Sequence, residues 1–92
     1  MLDIYEIDKN NKELFITSIT DEEYQYLHNI FLEYQRKTGL LIDQYTDLKL
    51  SPIDSIILIN LLKNGNHQVH TKYYLILNSI QNSNHSINFI GD

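Results

Sequence analysis

The sequence predicts an α+β fold, a small single domain in which an N-terminal β-hairpin and a C-terminal strand pack with about three helices. Three observations lead there. Apolar residues alternate over Leu2 to Ile7, Glu13 to Ser18 and Ser86 to Ile90, which is the period of a half-buried strand. Between Tyr24 and Tyr34 they recur instead at spacings of three and four, the period of a helix packed on one side. Finally, 92 residues at 42% hydrophobic content, with 14 Ile and 13 Leu, suffice for one core and not for two.

In the opening strand Leu2, Ile4 and Glu6 fall on one side and Asp3, Tyr5 and Ile7 on the other; in the next, Leu14 and Ile16 oppose Phe15 and Thr17. The polar Asp8-Lys9-Asn10-Asn11-Lys12 between them contains asparagines that tolerate positive φ, so a hairpin is the economical connection. Thr20-Asp21-Glu22-Glu23 is a capping box with three acids on the positive end of the helix dipole. The helix it starts carries Tyr24, Leu27, Phe31 and Tyr34 on one face, with Ile30 beside them. It ends in Arg36, Lys37 and Gly39, and so spans Asp21 to Thr38.

Leu40 to Leu50 reads as a short strand, a turn and a second short strand. Ser51-Pro52-Ile53-Asp54 supplies a cap, a proline at the first helical position and an acid at the third. The segment Ile53 to Lys63 that follows is apolar nearly all round, which makes it the expected most buried helix, ending at Asn64-Gly65. From Asn66 to Asn82, Val69, Tyr73, Ile76, Leu77 and Ile80 share a helical face, although Tyr73 to Leu77 has a composition that also suits a strand. Length and the unbroken face favour helix. After the break Gln81 to Asn84, Ser86 to Ile90 forms the last strand.

Composition removes several chemistries. Without cysteine there is no disulfide framework, thiol nucleophile, iron–sulfur cluster or Cys-ligated zinc. No apolar run reaches the ~18 residues that span a bilayer, and acids stand near the N-terminus where a signal peptide carries cations, so a cytoplasmic location is expected. Residues 1 to 54 hold eleven carboxylates against five cations, a net −6, while the remainder comes to +1. Phosphate contacts need clustered Lys and Arg, so this balance argues against direct nucleic-acid binding and favours a basic partner.

Three constellations remain. His67 and His70 sit three apart, as two metal ligands on a helix would, but His85 lies beyond a break and no carboxylate falls within residues 55 to 91. Exposed histidines beside a turn are the simpler reading. Asp43 and Asp47 flank Tyr45, a pair that acid–base chemistry could use, yet no His, Lys or Arg partners them locally and Asp is an ordinary turn residue. No Ser or Thr lies in a nucleophile elbow, and Gly39, Gly65 and Gly91 are too isolated to cradle a phosphate. The tyrosines Tyr24, Tyr26, Tyr34, Tyr45, Tyr73 and Tyr74 cannot all lie in the core, because each buried phenol needs a hydrogen-bond partner. Interleaved with acids, those left outside suit a protein-binding surface equally well as an amphipathic rim.

Gly39-Leu40-Leu41-Ile42-Asp43-Gln44-Tyr45-Thr46-Asp47-Leu48-Lys49-Leu50-Ser51-Pro52, followed by an apolar helix and closing on Asn88-Phe89-Ile90-Gly91-Asp92, resembles small bacterial immunity proteins of contact-dependent inhibition and polymorphic toxin systems. The resemblance covers about a third of the chain. It implies an α/β domain without chemistry of its own that binds one cognate toxin domain, often a basic nuclease, and blocks its active or functional surface. No binding residue carries over from other members, so the expected partner-binding set rests on the acids and tyrosines here: Glu22, Glu23 and Tyr26 on the first helix, and Asp43, Tyr45 and Asp47 in the following loop. No catalytic, cofactor-binding or metal-binding residue is expected. Two other readings compete: an acidic mimic of nucleic acid or phage-type inhibitor, which needs carboxylates in regular rows, and a small metal-binding regulator or enzyme, which needs histidines and acids to converge in one pocket.

Overall fold

In the computed structural model, which describes residues 1–45 and 47–91, the order of elements is β1 (Leu2–Ile7), β2 (Glu13–Ile19), α1 (Asp21–Thr38), β3 (Leu48–Leu50), α2 (Pro52–Lys63), α3 (Gln68–Asn82) and β4 (Ser86–Gly91). Thr46 and Asp92, both within the stretches that carry the resemblance to immunity proteins, lie outside the described residues. The fold is α+β. Its four strands form one antiparallel sheet in the order β2-β1-β4-β3.

The hairpin closes through Asp8, whose Oδ1 accepts from the amides of Asn10 (2.8 Å) and Lys12 (2.9 Å), while Asn11 takes the positive φ of 62° that its short polar side chain tolerates. β1 pairs regularly with β4, from Leu2 opposite Gly91 to Ile7 opposite Ser86. Against β2 the register slips by one between Ile4/Thr17 and Tyr5/Phe15, so Ile16 is the extra residue of a β-bulge. A bulge on this edge strand interrupts the row of groups that another chain could pair with.

Leu2, Ile4, Leu50, Ile87 and Phe89, all on one face by register, join Leu27, Phe31, Tyr34, Leu58, Ile59, Leu62, Tyr73, Leu77 and Ile80 from the three helices in a single core. All three helices therefore cover the same side of the sheet. The other side carries Asp3, Tyr5, Phe15, Ser18, Lys49 and Asn88, with the Tyr5 and Phe15 rings edge-to-face at 5.5 Å and Ser18 Oγ donating to Asp3 at 2.5 Å. Among the described residues no helix packs on it.

Two expectations need correction. Leu40 to Asp43 is not a strand: the segment pairs with no strand of the sheet and is held against α1, where Tyr24 Oη donates to the Ile42 carbonyl. It runs beside α1 with Ile42 buried, and only Leu48–Leu50 of the predicted pair enters the sheet. Nor is α2 buried all round as its composition suggests, although it holds four buried residues against three in each of the longer helices. Its core side is Ser55, Leu58, Ile59 and Leu62, whereas Ile53 is 79% exposed and Ile56 and Ile57 stand out at 42% and 39%. A one-sided sheet with three helices leaves each helix an outer face, whatever its composition. For the ambiguous segment, helix is the outcome at Gln68–Asn82, with Tyr73, Leu77 and Ile80 buried.

Removing a buried side chain leaves a cavity, so Leu58→Ala, at a position fully shielded from solvent, should cost about 2 to 5 kcal/mol. Ile57→Ala, on the outer side of the same helix, should cost under about 1 kcal/mol. Urea unfolding of the two variants checks this, and equal losses would contradict the placement of α2.

Candidate functional site

The first turn of α1 is organised by Glu23. Thr20 caps the helix, its Oγ1 accepting from the Glu23 amide (3.1 Å), and the Glu23 carboxylate returns to the Thr20 amide (3.2 Å). The same carboxylate takes Tyr73 Oη at 2.8 Å and Lys72 Nζ at 2.6 Å, both from α3. Partial burial raises the Glu23 pKa, but the bonds from Lys72, the Thr20 amide and Tyr73 outweigh it and bring the group down to about 2. Burial and the Glu23 charge push the Tyr73 phenol up, which keeps it a donor. Glu23 thus faces α3 and is occupied internally.

Tyr26, one turn on, lies on the same flank. Its ring is 45% exposed and stacks on His67 with centroids 4.0 Å apart, and its carbonyl meets His70 Nε2 at 2.7 Å. His67 is the cap of α3, Nδ1 accepting from the Val69 amide, and His70 Nδ1 accepts from the His67 amide. That acceptor role leaves His70 Nε2 carrying the hydrogen donated to Tyr26. A Cβ at Gly65 would lie 2.2 Å from His70 Nδ1, so glycine is what admits the ring here. The pair that looked like half of a metal site is a helix cap and a clasp between α1 and α3. Among the described residues no group of three or more His, Asp or Glu is placed to hold a metal ion.

The opposite flank of α1 meets the loop before β3. Tyr24 Oη donates to the Ile42 carbonyl (3.4 Å) and Gln44 Nε2 to Asp21 Oδ1 (3.2 Å), while Asp21 lies 3.5 Å from the Met1 ammonium. Burial raises the Tyr24 phenol, and the nearby Asp43 and Tyr45 add to it. Asp43 Oδ1 accepts from the Tyr45 amide (2.8 Å), the turn chemistry expected of Asp, and holds up a Tyr45 ring that is 77% exposed. Asp47 Oδ1 accepts from the Gly91 amide (3.1 Å) and so fastens the loop to the end of β4.

The expected partner-binding residues therefore divide. Asp43, Tyr45 and Asp47 meet at one end of the sheet, joined by Asp21; Glu23 and Tyr26 turn to α3; helical spacing puts the exposed Glu22 on the crest between. At the sheet's other end lies a second grouping that the sequence reading passed over. Glu6 Oε2 and His85 Nδ1 are 2.5 Å apart beside a cavity of about 310 Å³ also lined by Asp8, Lys12, Glu13 and Leu14. The pair spans 79 positions. Only the pairing of β1 with β4 brings it together, and no local spacing signals it.

Because Glu23 titrates below its ordinary 4.5, its contribution to stability is complete above that pH and is lost as pH falls towards about 2. Glu23→Gln should be less stable than the parent at pH 7 by on the order of 2 kcal/mol, with the gap closing by pH 2. Urea unfolding at pH 7, 4 and 2.5 measures it; a gap that does not shrink would mean the charge is not what matters. In comparisons with family models, curated proteins and solved structures, no match to this chain is found.

Proposed function

We propose that this chain is an immunity protein, a stoichiometric inhibitor that binds a cognate basic toxin domain and covers its functional surface. One observation carries the reading: carboxylates from separate segments, Asp21 and Glu22 at the start of α1 and Asp43 and Asp47 in the loop bonded to it through Gln44, lie at one end of the sheet, where the same loop presents a tyrosine that is 77% exposed. Such a patch draws a basic partner in by charge and holds it by burying the aromatic ring. The acids form one mixed cluster with tyrosine and not the regular rows that mimicry of a phosphate backbone requires. Glu23 serves this surface indirectly, by fixing the start of the helix that presents Glu22. Cytoplasmic residence, where a toxin of this kind would act, belongs to the same proposal; among the described residues no helix is long and apolar enough to cross a membrane.

The direct test is protection. Co-expression with the polypeptide encoded immediately upstream in the genome should rescue growth if that polypeptide is the toxin, and failure of the two purified chains to bind would overturn the reading for that pair.

Exposed charges are screened beyond ~10 Å at 0.1 M salt whereas a desolvated ring contact is not, so the two contributions separate kinetically. Replacing Glu22, Asp43 and Asp47 by their amides keeps the side-chain acceptors that hold the loop. It should slow association about tenfold at low salt and flatten the salt dependence. Tyr45→Ala should instead speed dissociation by tenfold or more, on the order expected for an aromatic anchor. Surface-plasmon kinetics at two salt concentrations distinguish them. A triple amide variant that associates as the parent does would show the acids to be solvated surface.

A further inference from the structure

The outer side of α2 presents exposed apolar residues. Ile53 and Ile57 follow one another at four-residue spacing and lead on to Leu61, which is partly buried against the core, with Ile56 alongside, directly opposite the core stripe of Ser55, Leu58, Ile59 and Leu62. Single exposed apolar residues are ordinary, but a contiguous row of them marks a contact surface. Beside the row runs a shallow groove of about 340 Å³ lined by Lys37, Ile57, Asn60, Leu61 and Asn64. Row and groove lie side by side on one helix, which is the arrangement that lets the ridge of one copy enter the groove of another.

We propose that this face joins two copies of the chain in an antiparallel, two-fold contact through α2. Charge selects the occupant. The chain carries a net −5, and its acids concentrate elsewhere; on and beside α2, Lys37 and Lys63 balance Asp54 and Glu33. Two copies meet here with the least mutual repulsion, while a basic partner finds no net negative charge to draw it. The two-fold arrangement also matches charges. Helical spacing puts Asp54 on the Leu61 side of the row in the first turn, and Lys37 lies on that same side over the last turns. Antiparallel stacking brings the first turn of one helix over the last turns of the other, so each Asp54 meets the other copy's Lys37 and the helix dipoles oppose. Within its own chain Lys37 pairs with Glu33, at 3.9 Å. The inference stands apart from the toxin reading, which uses net negative charge and other residues.

Sedimentation equilibrium and light scattering on the purified chain test it. The parent should pass with rising concentration from the chain mass of 10.9 kDa to twice that value. Ile53→Gln with Ile57→Gln, both at exposed positions, should remain at the chain mass with an unchanged circular dichroism spectrum. Asp54→Lys and Lys37→Glu should each raise the dimer dissociation constant about tenfold, and the double exchange should restore it to within about threefold. Since the chain lacks cysteine, Ile57→Cys near the two-fold axis should form an oxidised dimer, whereas Leu75→Cys, exposed on α3, should not. A parent that stays at the chain mass up to millimolar concentration, or an isoleucine variant that dimerises like the parent, overturns the proposal. Failure of the charge exchange with loss of dimer in the isoleucine variant overturns the antiparallel register.

Discussion

The Glu23 carboxylate is the point on which the arrangement of helices depends. It closes the capping box with Thr20, and the same two oxygens receive Lys72 and Tyr73 from a helix that begins more than forty residues later in the chain. Tyr73 Oη also reaches the Ser18 carbonyl at 3.4 Å, so the end of β2, the start of α1 and the middle of α3 share one cluster. A carboxylate this occupied stays ionised far below its ordinary range, and the phenol beside it stays neutral. Burying Tyr73 without that acceptor would leave a hydroxyl unsatisfied, at a cost of about 1 to 3 kcal/mol.

Fixing α1 in this way determines what its two flanks can do. One flank is consumed by α3, through Glu23 and through the stacking of Tyr26 on His67. The other supports the loop that carries Asp43 and Tyr45, by way of Tyr24 and the Asp21–Gln44 bond. The second presents Asp43 together with the most exposed tyrosine ring, Tyr45 at 77%, at the end of the sheet, whereas Tyr26 on the first is partly covered by His67.

A sheet covered on one side imposes the remaining features. Each helix needs only one buried stripe, and α2 supplies it with Ser55, Leu58, Ile59 and Leu62 while still presenting isoleucine outward. Ser55 is a fully shielded polar residue in that stripe, and its hydroxyl is satisfied by the Pro52 carbonyl at 2.8 Å. The apolar surplus on α2 thus has no explanation inside the chain, in contrast to Tyr34, whose hydroxyl is bonded to the Asp54 carbonyl at 2.7 Å and whose ring belongs to the core.

The local elements were written in the sequence because the groups that specify them are neighbours along it. Thr20 with Glu23, Ser51 with Pro52, and Gly39 at a φ of 79° act within one turn of the helices they bound, and the alternation in β1 and β4 needs no distant residue. The acids and Tyr45 of the loop were likewise visible as types in a pattern. What they would face was not, since that depends on which segments the sheet order brings together. Periodicity marked α2 as apolar all round, yet only the one-sided packing decided that half of it would be exposed. Composition marked Glu23 as a surface acid, yet the approach of α3 made it an internal acceptor. The Glu6–His85 pair depended on β1 lying next to β4, and the short strand expected at Leu40 gave way to a segment that buries Ile42 against α1. Capping, turn formation and periodicity are short-range effects that one sequence displays; burial and the pairing of charges are long-range effects that arise only when distant segments compete for the same face.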